Sequence, residues 1–165
     1  MPKITTFLTY NDQAEEATKL YTSLFKDSRI KSVTRATDAI PGQGGKVLTV
    51  EFQLAGQDYV ALNGGPSFKF AEGISLQVSC EDQAEIDRLW EKLTANGGKP
   101  GPCGWLTDKF GVSWQIVPKQ MANLIGGSDK AGAERATKAM LSMGKLDIDE
   151  LQRAYDGQEV AAAKR

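Results

Sequence analysis

Asp12-Gln13-Ala14-Glu15 opens one helical pattern in this chain, and Asp82-Gln83-Ala84-Glu85 repeats it letter for letter 70 positions later. In each copy Asp and Glu stand three residues apart. That is capping-box spacing: the first side chain accepts first-turn N–H groups while the Glu reaches back, with Asp here in place of the usual Ser or Thr. Behind the first copy Ala17, Leu20, Tyr21 and Leu24 fall at i, i+3, i+4 and i+7. Ile86, Leu89, Trp90 and Leu93 do the same behind the second, offset by 69. Such spacing lines apolar groups along one helix face. A four-letter match arises by chance, so the two matching faces carry the inference of an internal duplication. A period of ~70 residues is too long for a solenoid.

The stretches around the two helices read as strands in the same order. Ile4–Tyr10 is a β-branched and aromatic run, and Arg29–Arg35 is a second candidate. Pro41-Gly42-Gln43-Gly44-Gly45 reads as a hairpin connection, since no Lys-Ser/Thr and no helix follow the glycines as a phosphate-binding loop requires. From Lys46 to Leu54 the pattern alternates, with Leu48, Val50, Phe52 and Leu54 on one side and Val47, Thr49, Glu51 and Gln53 on the other. Ala55–Asp58 is a tight turn, Tyr59–Asn63 returns, and Asn63-Gly64-Gly65-Pro66 stops the strand. In the second half Ile74–Val78 leads into the helix, Asn96-Gly97-Gly98 ends it, and Gly104–Phe110 and Val112–Val117 form a strand pair around Gly111. The first half thus reads β-α-β-β-β, and the same order recurs in the second, where the residues give a strand, a helix and a closing strand pair.

Beyond Pro118 the pattern turns helical. Met121, Ala122, Leu124 and Ile125 suggest a short turn, Ser128 or Asp129 caps a helix carrying Ala133, Ala136, Ala139, Met140 and Met143, and Gly144 stops it. Leu146 leads to a last helix capped by Asp147 or Asp149, with Ile148, Leu151 and Tyr155 on its apolar side. Val160–Arg165 reads as a frayed tail. The expected organisation is residues 1–118 as paired modules (3–65 and 72–118), with residues 119–165 a helical extension packed on them or on a dimer partner.

Composition narrows the chemistry. The chain has 165 residues, 41% of them hydrophobic, with 20 Lys+Arg against 21 Asp+Glu. That balance is ordinary for a globular protein and gives no basic surface for nucleic acid. There is no histidine. Ser-His-Asp and Cys-His nucleophilic systems, HExxH sites and imidazole-dependent metal sites are therefore excluded. The two cysteines, Cys80 and Cys103, lie 23 positions apart without CxxC spacing and read as free thiols of a reducing cytoplasm. No secretory h-region and no run of ~18 apolar residues is present, so neither export nor a membrane partner is expected.

The two βαβββ modules, Asn63-Gly64-Gly65-Pro66 and the block Cys103-Gly104-Trp105-Leu106-Thr107-Asp108-Lys109-Phe110-Gly111-Val112-Ser113-Trp114-Gln115-Ile116-Val117-Pro118 resemble the vicinal oxygen chelate (glyoxalase/bleomycin-resistance) superfamily. Within it they resemble the PhnB-like branch, also labelled 3-demethylubiquinone-9 3-methyltransferase domain, over about residues 3–118. The resemblance implies an α+β fold of two curved sheets with helices outside and a cavity inside. It also implies four inward positions that hold one divalent metal in catalytic members, falling here near Thr5, at or beside Asn63, near Gly73 and on Gln115. A hard divalent ion wants anionic oxygens, and zinc-like ions want imidazole. Neutral Thr, Asn, Gly and Gln do not supply them, so no metal and no other cofactor is expected. The methyltransferase label finds no Rossmann-type glycine turn between a strand and a helix.

A cavity lined by neutral polar and aromatic groups remains. On strand parity the polar-facing sets are Thr49, Glu51 and Gln53; Tyr59, Ala61 and Asn63; Ser75 and Gln77; and Ser113 and Gln115. Glu51, Asn63, Gln77, Trp105 and Gln115 are the expected ligand-binding residues, with Gln115 foremost and no catalytic residue assigned. The expected function is small-molecule binding in the sheet cavity without a standard metal centre, by a cytoplasmic homodimer. The alternative is an enzyme, lyase- or dioxygenase-like or the labelled methyltransferase, with Glu51 as base on a small oxygenated or aromatic substrate.

Overall fold

The structure, a computed structural model, describes residues 4–158. The chain divides into two compact units, Met1–Phe70 and Ala71–Arg165. The first holds β1 (Thr6–Tyr10), α1 (Ala14–Leu24), β2 (Arg29–Arg35), β3 (Val47–Leu54) and β4 (Gln57–Asn63). The second holds β5 (Ser75–Cys80), α2 (Gln83–Thr94), β6 (Lys99–Pro100), β7 (Trp105–Thr107) and β8 (Ser113–Pro118). It continues into α3 (Met121–Gly126), α4 (Lys130–Ser142) and α5 (Ile148–Tyr155). The expected tail Val160–Arg165 lies outside the described residues.

The duplication appears in the topology. The first sheet runs β1-β4-β3-β2 and the second β5-β8-β7-β6, the same order element for element. In each, the first strand pairs parallel to the last and the other neighbours are antiparallel. The fold is α+β, two four-stranded mixed sheets with helices.

In the first unit α1 buries Ala14, Ala17, Tyr21 and Leu24 against Leu8, Tyr10, Val50, Phe52 and Ala61. Phe52 and Tyr59 stack at 5.5 Å between centroids. Each large apolar side chain so enclosed contributes about 1.5–3 kcal/mol. Pro41–Gly45 lies in the connection between antiparallel β2 and β3, closed by Ala36 N–H donating to Lys46 O at 2.8 Å. Ala55 and Gly56 form a two-residue turn with φ of 45° and 83°, the left-handed values that suit the twist of a tight hairpin.

The two helix starts differ despite their identical letters. Asp82 caps α2: its Oδ1 accepts Glu85 N–H at 2.8 Å, and Glu85 Oε2 accepts Glu81 N–H at 2.8 Å. The helices themselves repeat at an offset of 69, so Gln13 rather than Asp12 occupies the matching position, and it makes no side-chain cap. The first capping box is thus not formed. Glu15 pairs with Lys19 at 2.7 Å instead, which holds its carboxyl below the usual range.

In the second unit Ile86, Leu89 and Leu93 of α2 are buried with Leu106, Trp114 and Ile116. The strand expected over Gly104–Phe110 covers only Trp105–Thr107. Asp108 ends it, because its carboxylate accepts the N–H groups of Phe110 (2.9 Å) and Val112 (3.0 Å) and folds the chain into a turn. The short β6 pairs Lys99 with Thr107 and has no counterpart in the hydropathy pattern. The extension belongs to this unit. Met121, Leu124, Ala136, Leu146 and Leu151 form one buried cluster against Val117 of β8, and Asp129 and Asp147 cap α4 and α5. Among the described residues no helix is long and apolar enough to cross a membrane.

Candidate functional site

Strand register decides which side chains meet. In the second sheet Trp105 lies opposite Gln115, and Gln115 beside Gln77. Paired residues share a face, so Trp105, Gln115 and Gln77 form one row across the sheet. Thr107, Ser113 and Ser75 form the next row on the same face. The opposite face carries Trp114 and Ile116, buried with α2. Gln115 Nε2 donates to Ser75 Oγ at 2.8 Å, tying the two rows together.

A hollow of about 520 Å³ opens over Trp105, Thr107 and Ser113, walled by Gly101 and Pro102, with Glu72 and Lys99 on its lining. This volume is within the range of small-ligand sites, roughly 300–1,000 Å³. Gln115 and Gln77 continue the row beyond the lining, Gln115 half-buried and Gln77 exposed. Lys99 and Glu72 add one charge of each sign. Neither carried a sequence signal, because β6 is two residues long and Glu72 stands in the loop before β5.

Glu51 is half-buried on β3, beside a smaller hollow of about 120 Å³ lined by Thr5, Lys31, Asp58, Tyr59 and Val60. That is well below the roughly 300–1,000 Å³ of small-ligand sites. Lys31 pairs with Asp58 at 3.1 Å there.

Asn63 departs from the expected parity. The Ala55-Gly56 turn sets Glu51 opposite Val60 and Phe52 opposite Tyr59. Tyr59, Ala61 and Asn63 therefore face away from Glu51, on the side packed by α1. Asn63 Oδ1 accepts Ala14 N–H at 2.9 Å and its Nδ2 donates to Val47 O at 3.0 Å. Its polarity serves the helix start that lacks its own cap.

The Asp108-Lys109-Phe110-Gly111 turn is likewise architectural. Trp114 Nε1 donates to Asp108 Oδ2 at 2.9 Å, and Gly111 takes the left-handed φ of 94°. Both cysteines are free. Cys80 is fully buried, and burial pushes its thiol up to about 12. The charged nucleophile is thereby suppressed.

The divalent ion that the fold family implies does not fit these residues. Asn63 spends both ends of its amide on the backbone, Gln115 is bonded to Ser75, Gly73 has no side chain, and Thr5 is neutral. Among the described residues no three His, Cys, Asp or Glu side chains cluster as a metal would need. A Rossmann-type S-adenosylmethionine site does not fit either, since Gly42, Gly44 and Gly45 join two antiparallel strands rather than a strand to a helix.

Two βαβββ units whose sheets have identical strand order define a vicinal-oxygen-chelate-type protein. The chain belongs to the 3-demethylubiquinone-9 3-methyltransferase family, the PhnB-like branch of that superfamily, whose family model matches residues 2–117. It is 39% identical to a PhnB protein from Bacillus cereus described by the same methyltransferase label, with a TM-score of 0.63, covering 71% of this chain and 99% of that one. Protein PA1353 from Pseudomonas aeruginosa shares the fold at 19% identity and a TM-score of 0.60, over 72% and 98% of the two chains. No curated protein matches the chain.

Proposed function

We propose that this protein binds a small organic molecule, without a standard metal centre, on the open face of the β5-β8-β7-β6 sheet. The observation that carries the reading is the 520 Å³ hollow over Trp105, Thr107 and Ser113. An indole ring for stacking and hydroxyls for orientation are what a mostly apolar pocket with a few placed polar groups requires. Charges of both signs at Lys99 and Glu72 suit a ligand with an ionised or strongly polar end. The Glu51 hollow is too small for such a molecule, so the binding reading stands ahead of the Glu51-based enzyme.

The test is a thermal-shift screen of small aromatic and oxygenated acids on the full chain, with hits measured by calorimetry on native protein and on Trp105→Ala. A hit that weakens about tenfold or more in Trp105→Ala, equivalent to ~1.4 kcal/mol, supports the reading. Hits that bind both chains alike place the ligand elsewhere and overturn it.

A further inference from the structure

The wall of the hollow is held from behind by the helical extension. Gly101 and Pro102 line the hollow, and Trp105 forms its floor. Between them Cys103 and Gly104 both take left-handed backbone, with φ of 55° and 82°. For a non-glycine residue that conformation is uncommon and carries a cost that surrounding contacts offset. The holding bonds come from the link between α4 and α5. Cys103 N–H donates to Met143 O and Gly104 N–H to Gly144 O, both at 2.8 Å. Leu146 sits directly on the loop, since a Cβ on Gly104 would come within 2.9 Å of its Cδ1.

That link is in turn fastened to α2 by two side chains, Gln83 to its backbone and Asp87 to its Lys145. Gln83 Nε2 donates to Leu146 O at 3.0 Å, and Gln83 Oε1 accepts Ile148 N–H at 2.9 Å. Lys145 pairs with Asp87, one helical turn further along α2, at 2.5 Å. An unbroken line of contacts thus runs from α2 through the link to the wall. The link lies beyond residue 117, where the family match ends.

We propose that Gln83 is a positioning residue: by clasping the Lys145–Ile148 segment it sets the Gly101–Gly104 wall and the Trp105 beside it, so affinity at the hollow depends on the docked extension. The consequence for affinity rests on the hollow being the binding site, whereas the positioning can be read without any ligand.

Cys103 reports on the wall, because it lies between Pro102 and Trp105 and its N–H is one of the holding bonds. Cys80 is fully buried and protonated, so it does not compete. The experiment measures alkylation of Cys103 by iodoacetamide in the full native chain, localised by peptide mass spectrometry. Gln83→Ala is expected to speed it by on the order of tenfold, through local opening of the wall. Asp129→Ala, which removes the α4 cap at the other end of that helix, is the control for general loosening and is expected to stay within about twofold of native. A Gln83→Ala rate equal to native, or an equal acceleration in Asp129→Ala, overturns the proposal. If Gln83→Ala does not fold, Asp87→Ala, which frees Lys145 on the surface, is read in the same way. A ligand that binds native and Gln83→Ala chains equally tightly also overturns it while leaving the binding site intact. If the alkylation contrast holds and no compound binds, the clasp stands and the function proposed above falls.

Discussion

Asn63 caps a helix 49 positions before it in the chain: its Oδ1 accepts the Ala14 N–H at 2.9 Å while its Nδ2 donates to Val47 O. Asn63→Ala leaves two half-buried backbone groups unpaired. It is expected to lower stability by about 1–3 kcal/mol, read as a lower urea midpoint at unchanged slope. Asn63→Asp keeps the acceptor for Ala14 and is expected to lose roughly half as much. A midpoint for Asn63→Ala equal to that of the native chain refutes the capping role.

Asp108 is 3% exposed, and its carboxylate accepts from Phe110, Val112 and the Trp114 indole. Removing it orphans three donors in a packed site. Asp108→Ala is expected to cost about 2–4 kcal/mol and to erase the near-ultraviolet circular dichroism contributed by a fixed Trp114. Retention of that signal at native stability would show the turn to be held by the backbone alone.

Cys80 gives an alkaline signature. Burial raises its thiol from 9.0 to about 12. A raised folded value means that the unfolded chain releases its proton first, so the contribution is full below pH 9 and is lost as pH climbs toward 12. Unfolding midpoints measured from pH 8 to 11 should fall less steeply for Cys80→Ala than for the native chain. Parallel curves would contradict a buried, protonated thiol.

The donor set at Thr5, Asn63, Gly73 and Gln115 predicts weak metal affinity. Titration of the native protein with Zn²⁺, Mn²⁺, Ni²⁺ and Fe²⁺ is expected to show no stoichiometric site tighter than about micromolar, roughly −8 kcal/mol. A tighter site would return metal-dependent chemistry to the fold.

Much of the fold was legible because its signals are local. Helix faces at Ala17–Leu24 and Ile86–Leu93 follow from 3.6-residue spacing, and the alternation of β3 from a period of two. The stops at Asn96-Gly97 follow from residues that tolerate the left-handed φ of 55° and 109° found there. The site was less legible. Trp105, Gln115 and Gln77 were named for their chemistry, and only the β5-β8-β7 register sets them in one row. Lys99 joins the neighbouring row of Thr107, Ser113 and Ser75 through a two-residue strand that no periodicity can signal.

By itself the sequence determined the β-α-β-β-β order of the first half, its recurrence in the second apart from β6, the absence of histidine chemistry and a helical end, since each depends on composition or on neighbours within a few residues. Tertiary structure decided which polar side chains face the open sheet and which are consumed inside. Asp12 has the letters of a cap and is one residue out of place. Asn63 looks like a ligand contact, and a two-residue turn between β3 and β4 puts it under α1, because moving a strand's register by one residue exchanges its two faces. The support of the Cys103 loop by Met143 and Gly144 joins residues 40 positions apart, a distance at which only the packed chain, and no local pattern, can assign a partner.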